Sequence, residues 1–124
     1  MHNASDLITV VDAEGSILYE SPSCARLLGQ SADALVGTPF LDLVDDQDID
    51  HVRGALADVI QVPGSVLTME YRIRHADGST RFVESIASNL MGDASVRGLV
   101  LNTRDVTERK AAETARKTPR SAKK

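Results

Sequence analysis

The chain has 124 residues, a hydrophobic share of 42% and a formal net charge of −4, which fits one domain large enough for its own core without metal or disulfide staples. It has no Trp, two Phe and two Tyr, so that core must be mostly aliphatic; a single cysteine, Cys24, excludes an internal disulfide and fits a reducing cytoplasm. No apolar run approaches the roughly 20 residues of a membrane span, and no basic-then-apolar signal peptide opens the sequence.

Residues 1–5 carry no pattern and read as a tail. Leu7 to Val11 is a β-branched run and predicts a strand. Asp12-Ala13-Glu14-Gly15 is a turn, and Ile17-Leu18-Tyr19 is the return strand of a hairpin. Ser21-Pro22-Ser23 opens a short helix, with Ser21 as cap and Pro22 at its first position; Cys24, Leu27 and Leu28 share one face and Gly29 ends it. A single helical turn ends at Gly37, and Pro39 to Val44 forms a third, adding Phe40, Leu41 and Val44 to the core.

The longest helix is predicted over about Asp48 to Gln61. Ile49, Val52, Leu56, Val59 and Ile60 recur at spacings of three and four, and Pro63-Gly64 stops it. Val66 to His75 is a strand in which Leu67, Met69, Tyr71 and Ile73 alternate with polar residues. Asp77-Gly78 predicts a tight hairpin turn. Thr80 to Leu90 is its partner, with Phe82, Ile86 and Leu90 on one face and Glu84 and Ser88 between them. The last strand runs through Leu99, Leu101 and Thr103 and feeds a polar exit helix. Asp105 and Thr107 both suit its N-cap, and Asp105 with Glu108 has capping-box spacing.

Charge is unevenly placed. Residues 1–108 carry 7 basic and 17 acidic side chains, and residues 109–124 carry 7 basic and 1 acidic. An acidic body argues against nucleic acid as the main partner. The basic end reads as a solvated linker or the cut end of a longer protein, with a nucleic-acid tail as the alternative.

The sequence resembles a PAS domain, a sensory module of many bacterial signalling proteins, from about Asp6 to Glu113. The matching pieces are Val11 to Ile17, Ser21-Pro22-Ser23, Leu27-Leu28-Gly29, Leu35-Val36-Gly37, Glu70-Tyr71-Arg72, Asp77-Gly78-Ser79, Arg81-Phe82-Val83 and Arg104 to Lys110. Of these, Asp105-Val106-Thr107 is similar to the Asp-Ile-Thr triplet that ends the family's last strand. The resemblance implies an α+β fold: a five-stranded antiparallel sheet in the order 2-1-5-4-3, with short helices and one longer helix on one face. It divides the chain into a tail over 1–5, a sensor domain over 6–106 and a linker helix with basic tail over 107–124. Two departures stand out. Asp45-Asp46-Gln47-Asp48 replaces the family's His-Pro-Asp-Asp, and the exit helix lacks the Leu or Ile stripe of a coiled coil and contains Pro119, which is expected to interrupt it.

Nothing in the sequence argues for catalysis, and no metal site is expected. Asp46-x-Asp48-x-Asp50 imitates the start of a calcium loop but has His51 at the sixth position and Ala57 at the twelfth; those acids are better suited to favour the helix N-terminus. Haem-binding relatives take an axial histidine from the long helix. Spacing from Val36-Gly37 puts Val52 rather than His51 there, so His51 reads as a surface residue beside Asp50 and Arg53. His75, beside Asp77-Gly78, reads as a solvated turn residue. Flavin-binding light sensors of the family carry a reactive cysteine on the third short helix; Phe40 stands about there, which disfavours a flavin photoadduct. Cys24 reads as a small core residue.

The family arrangement implies a lining from Leu56, Val59 and Ile60 on the long helix, Met69, Tyr71 and Ile73 on the third strand, Glu84, Ile86 and Ser88 on the fourth, and Leu99, Leu101 and Thr103 on the last. These side chains either fill a ligand-free core or hold a small apolar molecule whose identity is unknown. The function implied is sensing: a module cut from a kinase, cyclic-nucleotide enzyme or transcription regulator, passing ligand or dimerisation state to an output domain through the hinge Asp105-Val106-Thr107. A homodimer through the outer sheet face is the expected assembly, with no membrane partner. The alternatives are a small-molecule or lipid carrier without relay, and an accessory nucleic-acid binder acting through the basic tail.

Overall fold

The computed structural model describes residues 6–122, with side chains through Ala115. The predicted 1–5 tail, the last two residues and the side chains of the basic tail from 116 onward lie outside the described residues. Five strands form one sheet, β1 (Leu7–Val11), β2 (Ile17–Glu20), β3 (Val66–Arg74), β4 (Thr80–Leu90) and β5 (Gly98–Asp105). Their order is β2-β1-β5-β4-β3, and every neighbouring pair is antiparallel.

Between β2 and β3 come the helices: α1 (Cys24–Leu27), α2 (Ala32–Leu35), 3-10 helices over Phe40–Leu43 and Asp46–Asp48, and α3 (Ile49–Ile60). Their apolar residues, with the inner faces of the strands, make one core that includes Val11, Ile17, Leu28, Phe40, Val52, Val59 and Leu101. Phe40 meets Tyr71 edge-on, ring centroids 6.3 Å apart. Removing this aliphatic surface from water is the main drive for the fold. Helix α4 (Thr107–Ala122) follows β5 and runs past Pro119 without the predicted interruption.

The serines before α1 do not cap it. Ser21 Oγ accepts from the Ile8 N–H at 2.9 Å, and Ser23 Oγ donates to the Asp6 carbonyl at 2.7 Å. Ser21 follows β2 directly, so the backbone of β1 is the nearer partner, and both side chains pin that strand. Asp48 likewise does more than favour a helix end. Its carboxylate receives the Arg72 backbone N–H at 2.8 Å and the guanidinium at 2.8 and 2.9 Å. These hydrogen bonds hold its pKa below the usual carboxylate range. They also close part of the otherwise open edge of β3.

The expected register of β4 also fails, and the cause is local. A two-residue turn at Asp77-Gly78 would set Tyr71 opposite Glu84 and Met69 opposite Ile86. The loop instead spans residues 75–79, closed by the His75 N–H on the Ser79 carbonyl at 2.9 Å, and Arg74 pairs with Thr80. Tyr71 therefore faces Val83, Met69 faces Ser85 and Leu67 faces Ala87. A shift of one residue turns every side chain to the other face. Glu84, Ile86 and Ser88 accordingly point outward, Ile86 being 45% exposed. The inward set is Val83, Ser85, Ala87 and Asn89, all buried.

His75 is not a solvated turn residue. Its ring lies within hydrogen-bond distance of the Arg26 carbonyl, 3.2 Å from Nε2, and takes the Asp77 N–H on Nδ1. It covers Gly29, where a Cβ would come within 2.6 Å of the ring and where φ is +75°. Only glycine meets both demands cheaply.

A hydrogen-bonded interior and a fastened hinge

Inside the sheet, nine of the proposed lining residues face the core: Val59, Met69, Tyr71, Ile73, Leu99, Leu101 and Thr103 are buried, and Leu56 and Ile60 are half-buried. Three of them, Leu56, Ile60 and Leu99, reach one opening of about 190 Å³ that Phe40, Leu41 and Gly15 also line. None of the other nine proposed lining residues reaches it. Glu84 lies outside, its carboxylate 3.1 Å from the Arg104 guanidinium.

The interior is more polar than its aliphatic composition suggests. Tyr71 Oη, Ser85 Oγ and Thr103 Oγ1 form a chain across β3, β4 and β5, with steps of 2.6 and 2.5 Å. Burial pushes the Tyr71 phenol up to about 12. On β1, Thr9 Oγ1 donates to Glu20 Oε1 on β2 at 2.6 Å, both residues being almost fully buried. At the other end of β4, Asn89 Nδ2 donates to the carbonyls of Val59, Ile60 and Val62 at 2.9–3.1 Å. The last carbonyls of a helix lack internal partners, and Asn89 supplies them for α3. Thr9, Glu20, Ser85 and Asn89 were not legible in advance. The clue available was the hairpin, since a longer turn would have put Ser85, Ala87 and Asn89 inside.

The expected hinge, Asp105-Val106-Thr107, is fastened to the sheet. Val106 is 5% exposed, and its N–H donates to the Phe82 carbonyl at 2.8 Å. The Phe82 N–H donates in turn to Thr107 Oγ1 at 2.9 Å. Thr107 thus ties the first residue of α4 to β4 rather than capping the helix, because the free N–H of Phe82 lies closer. Asp105 does serve the helix start: its Oδ1 accepts the Thr107 N–H at 2.8 Å. Its other oxygen lies 3.5 Å from Arg81 Nη1. A cleft of about 920 Å³ opens beside the hinge, with Arg26, Arg81, Arg104 and Arg109 on its walls.

Beyond the hinge, α4 crosses towards β3. Glu70 receives Arg109 at 2.6 Å and Lys110 at 2.8 Å. The hydrogen bond from Lys110, followed by the two cationic charges, holds its carboxyl below the ordinary range.

The PAS-fold family pattern matches residues 17–100. This chain belongs to the PAS-fold family. The chain is 31% identical over 85 residues to the White collar 1 protein of Neurospora crassa, a match covering 68% of the chain. It spans only 7% of that protein's length. Among solved structures, the PAS domain of a protein from Colwellia psychrerythraea superimposes with a TM-score of 0.74 at 26% identity, covering 85% of this chain and 89% of that one. An RNA-binding light-oxygen-voltage receptor gives a TM-score of 0.75 at 25% identity, over 98% of this chain and 35% of that one. These relatives support a sensory PAS domain, and no helix among the described residues is long and apolar enough to cross a membrane.

Proposed function

We propose that this PAS domain is a non-catalytic regulatory module of a bacterial signalling protein, acting in the cytoplasm and passing the state of its interior to an attached output domain through Asp105-Val106-Thr107. The observation that carries this reading is the double tie of Val106 and Thr107 to Phe82. A displacement of β4 or β5 must move the start of α4, because its first residue shares hydrogen bonds with the sheet. A small apolar ligand entering beside Leu56, Ile60 and Leu99, or association through the outer sheet face, would supply that displacement. A sequence match that covers only 7% of a much longer protein fits a domain that works in series with others.

The test is Asp105→Ala in the full-length parent. It removes one acceptor at the helix start, worth about 1 kcal/mol, against a domain stability of about 5–15 kcal/mol. The domain should fold and associate as before while regulated output loses its response to the signal. A normal response in that variant would leave Asp105 an ordinary turn residue and defeat the relay.

A further inference from the structure

Among the described residues, Glu20 is the one buried carboxylate on the inner face of the sheet, at 2% exposure. Its Oε1 accepts a single hydrogen bond, from Thr9. Its Oε2 is buried and has no hydrogen-bond partner among the described residues. An ionised carboxylate has about four lone-pair sites to satisfy, and burying it with one neutral donor is costly. A neutral carboxylic acid in the same place is far less penalised.

The titratable groups that face it are Cys24 from α1 and Tyr71 from β3. Both are held above their usual ranges, chiefly by burial and in part by the charge on Glu20. Neither is ionised near neutrality, so neither supplies a countercharge. From β1 comes only the Thr9 hydroxyl.

We propose that Glu20 carries a proton in the resting domain and that releasing it is a trigger built into the corner between β2 and α1. Ionisation places a negative charge beside Cys24, in the core under α1, and opposite Tyr71. The Tyr71 hydroxyl continues through Ser85 to Thr103, two residues before Asp105 on the same strand. The charge therefore sits in one hydrogen-bonded pair, on β1 and β2, and acts electrostatically on a second hydrogen-bonded chain that joins β3, β4 and β5. Burial pushes the Glu20 carboxyl up to about 7, with the Thr9 hydrogen bond pulling part-way back, so the change falls at physiological pH.

This goes beyond the relay reading, and its test does not involve the hinge. The 124-residue chain is titrated while the infrared band of protonated carboxyl groups is followed. Exposed Asp and Glu lose that band near pH 4. The expected result is one residual carboxyl band that disappears with a midpoint near 7 and is missing from Glu20→Gln. Thr9→Val, which removes the donor that favours the ionised form, should move the midpoint upward, and this arm stands if Glu20→Gln does not fold. A wild-type chain without a residual band at about pH 6, a band that survives in Glu20→Gln, or a midpoint unmoved or lowered in Thr9→Val would each overturn the proposal.

Discussion

The inner face of the sheet buries Thr9, Glu20, Ser85, Asn89 and Thr103, while the outer face presents Glu70, Glu84 and Arg104 to water. The polar groups of the two faces are held by different forces. Inside, hydroxyl, amide, carboxyl and carbonyl groups of buried residues meet at 2.5–3.1 Å. Outside, Glu70 and Glu84 stand directly opposite each other, a repulsive pairing. Arg104 relieves Glu84, and Arg109 and Lys110 of α4 relieve Glu70. Buried hydrogen bonds are costly to leave unmade but indifferent to salt, whereas exposed ion pairs are weak and screened. The inner face should thus govern stability and its pH dependence, and the outer face should govern where α4 rests.

The largest effect is expected at Asn89. Asn89→Ala removes a donor from the Val59, Ile60 and Val62 carbonyls, of which Val59 and Val62 keep Ser65, and takes away the acceptor of the Met91 N–H. A loss of about 3 kcal/mol in urea unfolding follows from losing these hydrogen bonds at once and leaving the Ile60 carbonyl and the Met91 N–H without the partner Asn89 gave them. A loss below that of an ordinary surface substitution would mean water reaches this end of the helix and the contrast between the faces is false.

Next comes pH. The Glu20 value in the folded chain, about 7, lies above the ordinary 4.5. The unfolded chain thus binds fewer protons between those values, and stability falls as pH rises through that window. The stabilisation is complete below 4.5 and lost above about 7, a span on the order of 3 kcal/mol. Asp48 and Glu70 have the opposite sign: both are held low, so their contributions hold above the carboxylate range and fade on acidification. Glu20→Gln should flatten the fall towards neutral pH and leave the acid limb in place. An unchanged profile would show that the unfolding reaction does not sense Glu20.

How far the sequence could reveal this follows from the same contrast. The strands and the long helix were legible, because alternation in β3 and the three-four spacing in α3 are signals of side-chain size and polarity; the sheet order came from the family resemblance alone. The junction of β5 and α4 at Asp105-Val106-Thr107 was legible as a short motif. The inner face of β4 was not. Phe82, Ile86 and Leu90 are larger and more apolar than Ser85, Ala87 and Asn89, so sorting by hydrophobicity selects the outer face. What decides the matter is the length of the 75–79 loop, and that depends on His75 docking against Gly29 and the Arg26 carbonyl. Glu20 at a strand end looks like a solvated edge residue until β1 and α1 close over it.

Glu70→Gln probes the outer face. The cost in global stability should stay within the range of exposed pairs, about 0–1 kcal/mol. Its informative consequence is local: amide exchange at the start of α4 should quicken, and the salt dependence of that exchange in the wild-type chain should disappear. Exchange that is the same in both proteins would show α4 to be held by Val106 and Thr107 alone.

The smallest expected change in stability is at Ile86. Tyr19, Val10, Val100, Ser88 and Val66 stand in one row across the outer face, and Ile86 lies beside it, opposite Asn102 and Thr68. Tyr19 is 49% and Val66 63% exposed. In the proposed homodimer this apolar band is the contact. Ile86→Glu should then leave the monomer's unfolding free energy within about 0.5 kcal/mol, yet raise the dimer dissociation constant about tenfold or more, some 1.4 kcal/mol of association. Sedimentation at high micromolar concentration reads the second effect directly, and a wild-type chain that stays monomeric there removes the dimer. Truncation gives the matching control for the face assignment. Ile86→Ala on the exposed side should cost little, while Val83→Ala, fully buried one strand position from Phe82, should cost about 2 kcal/mol. If the two costs came out in the reverse order, the register set by the 75–79 loop would be wrong, and Ile86 would belong inside with Tyr71.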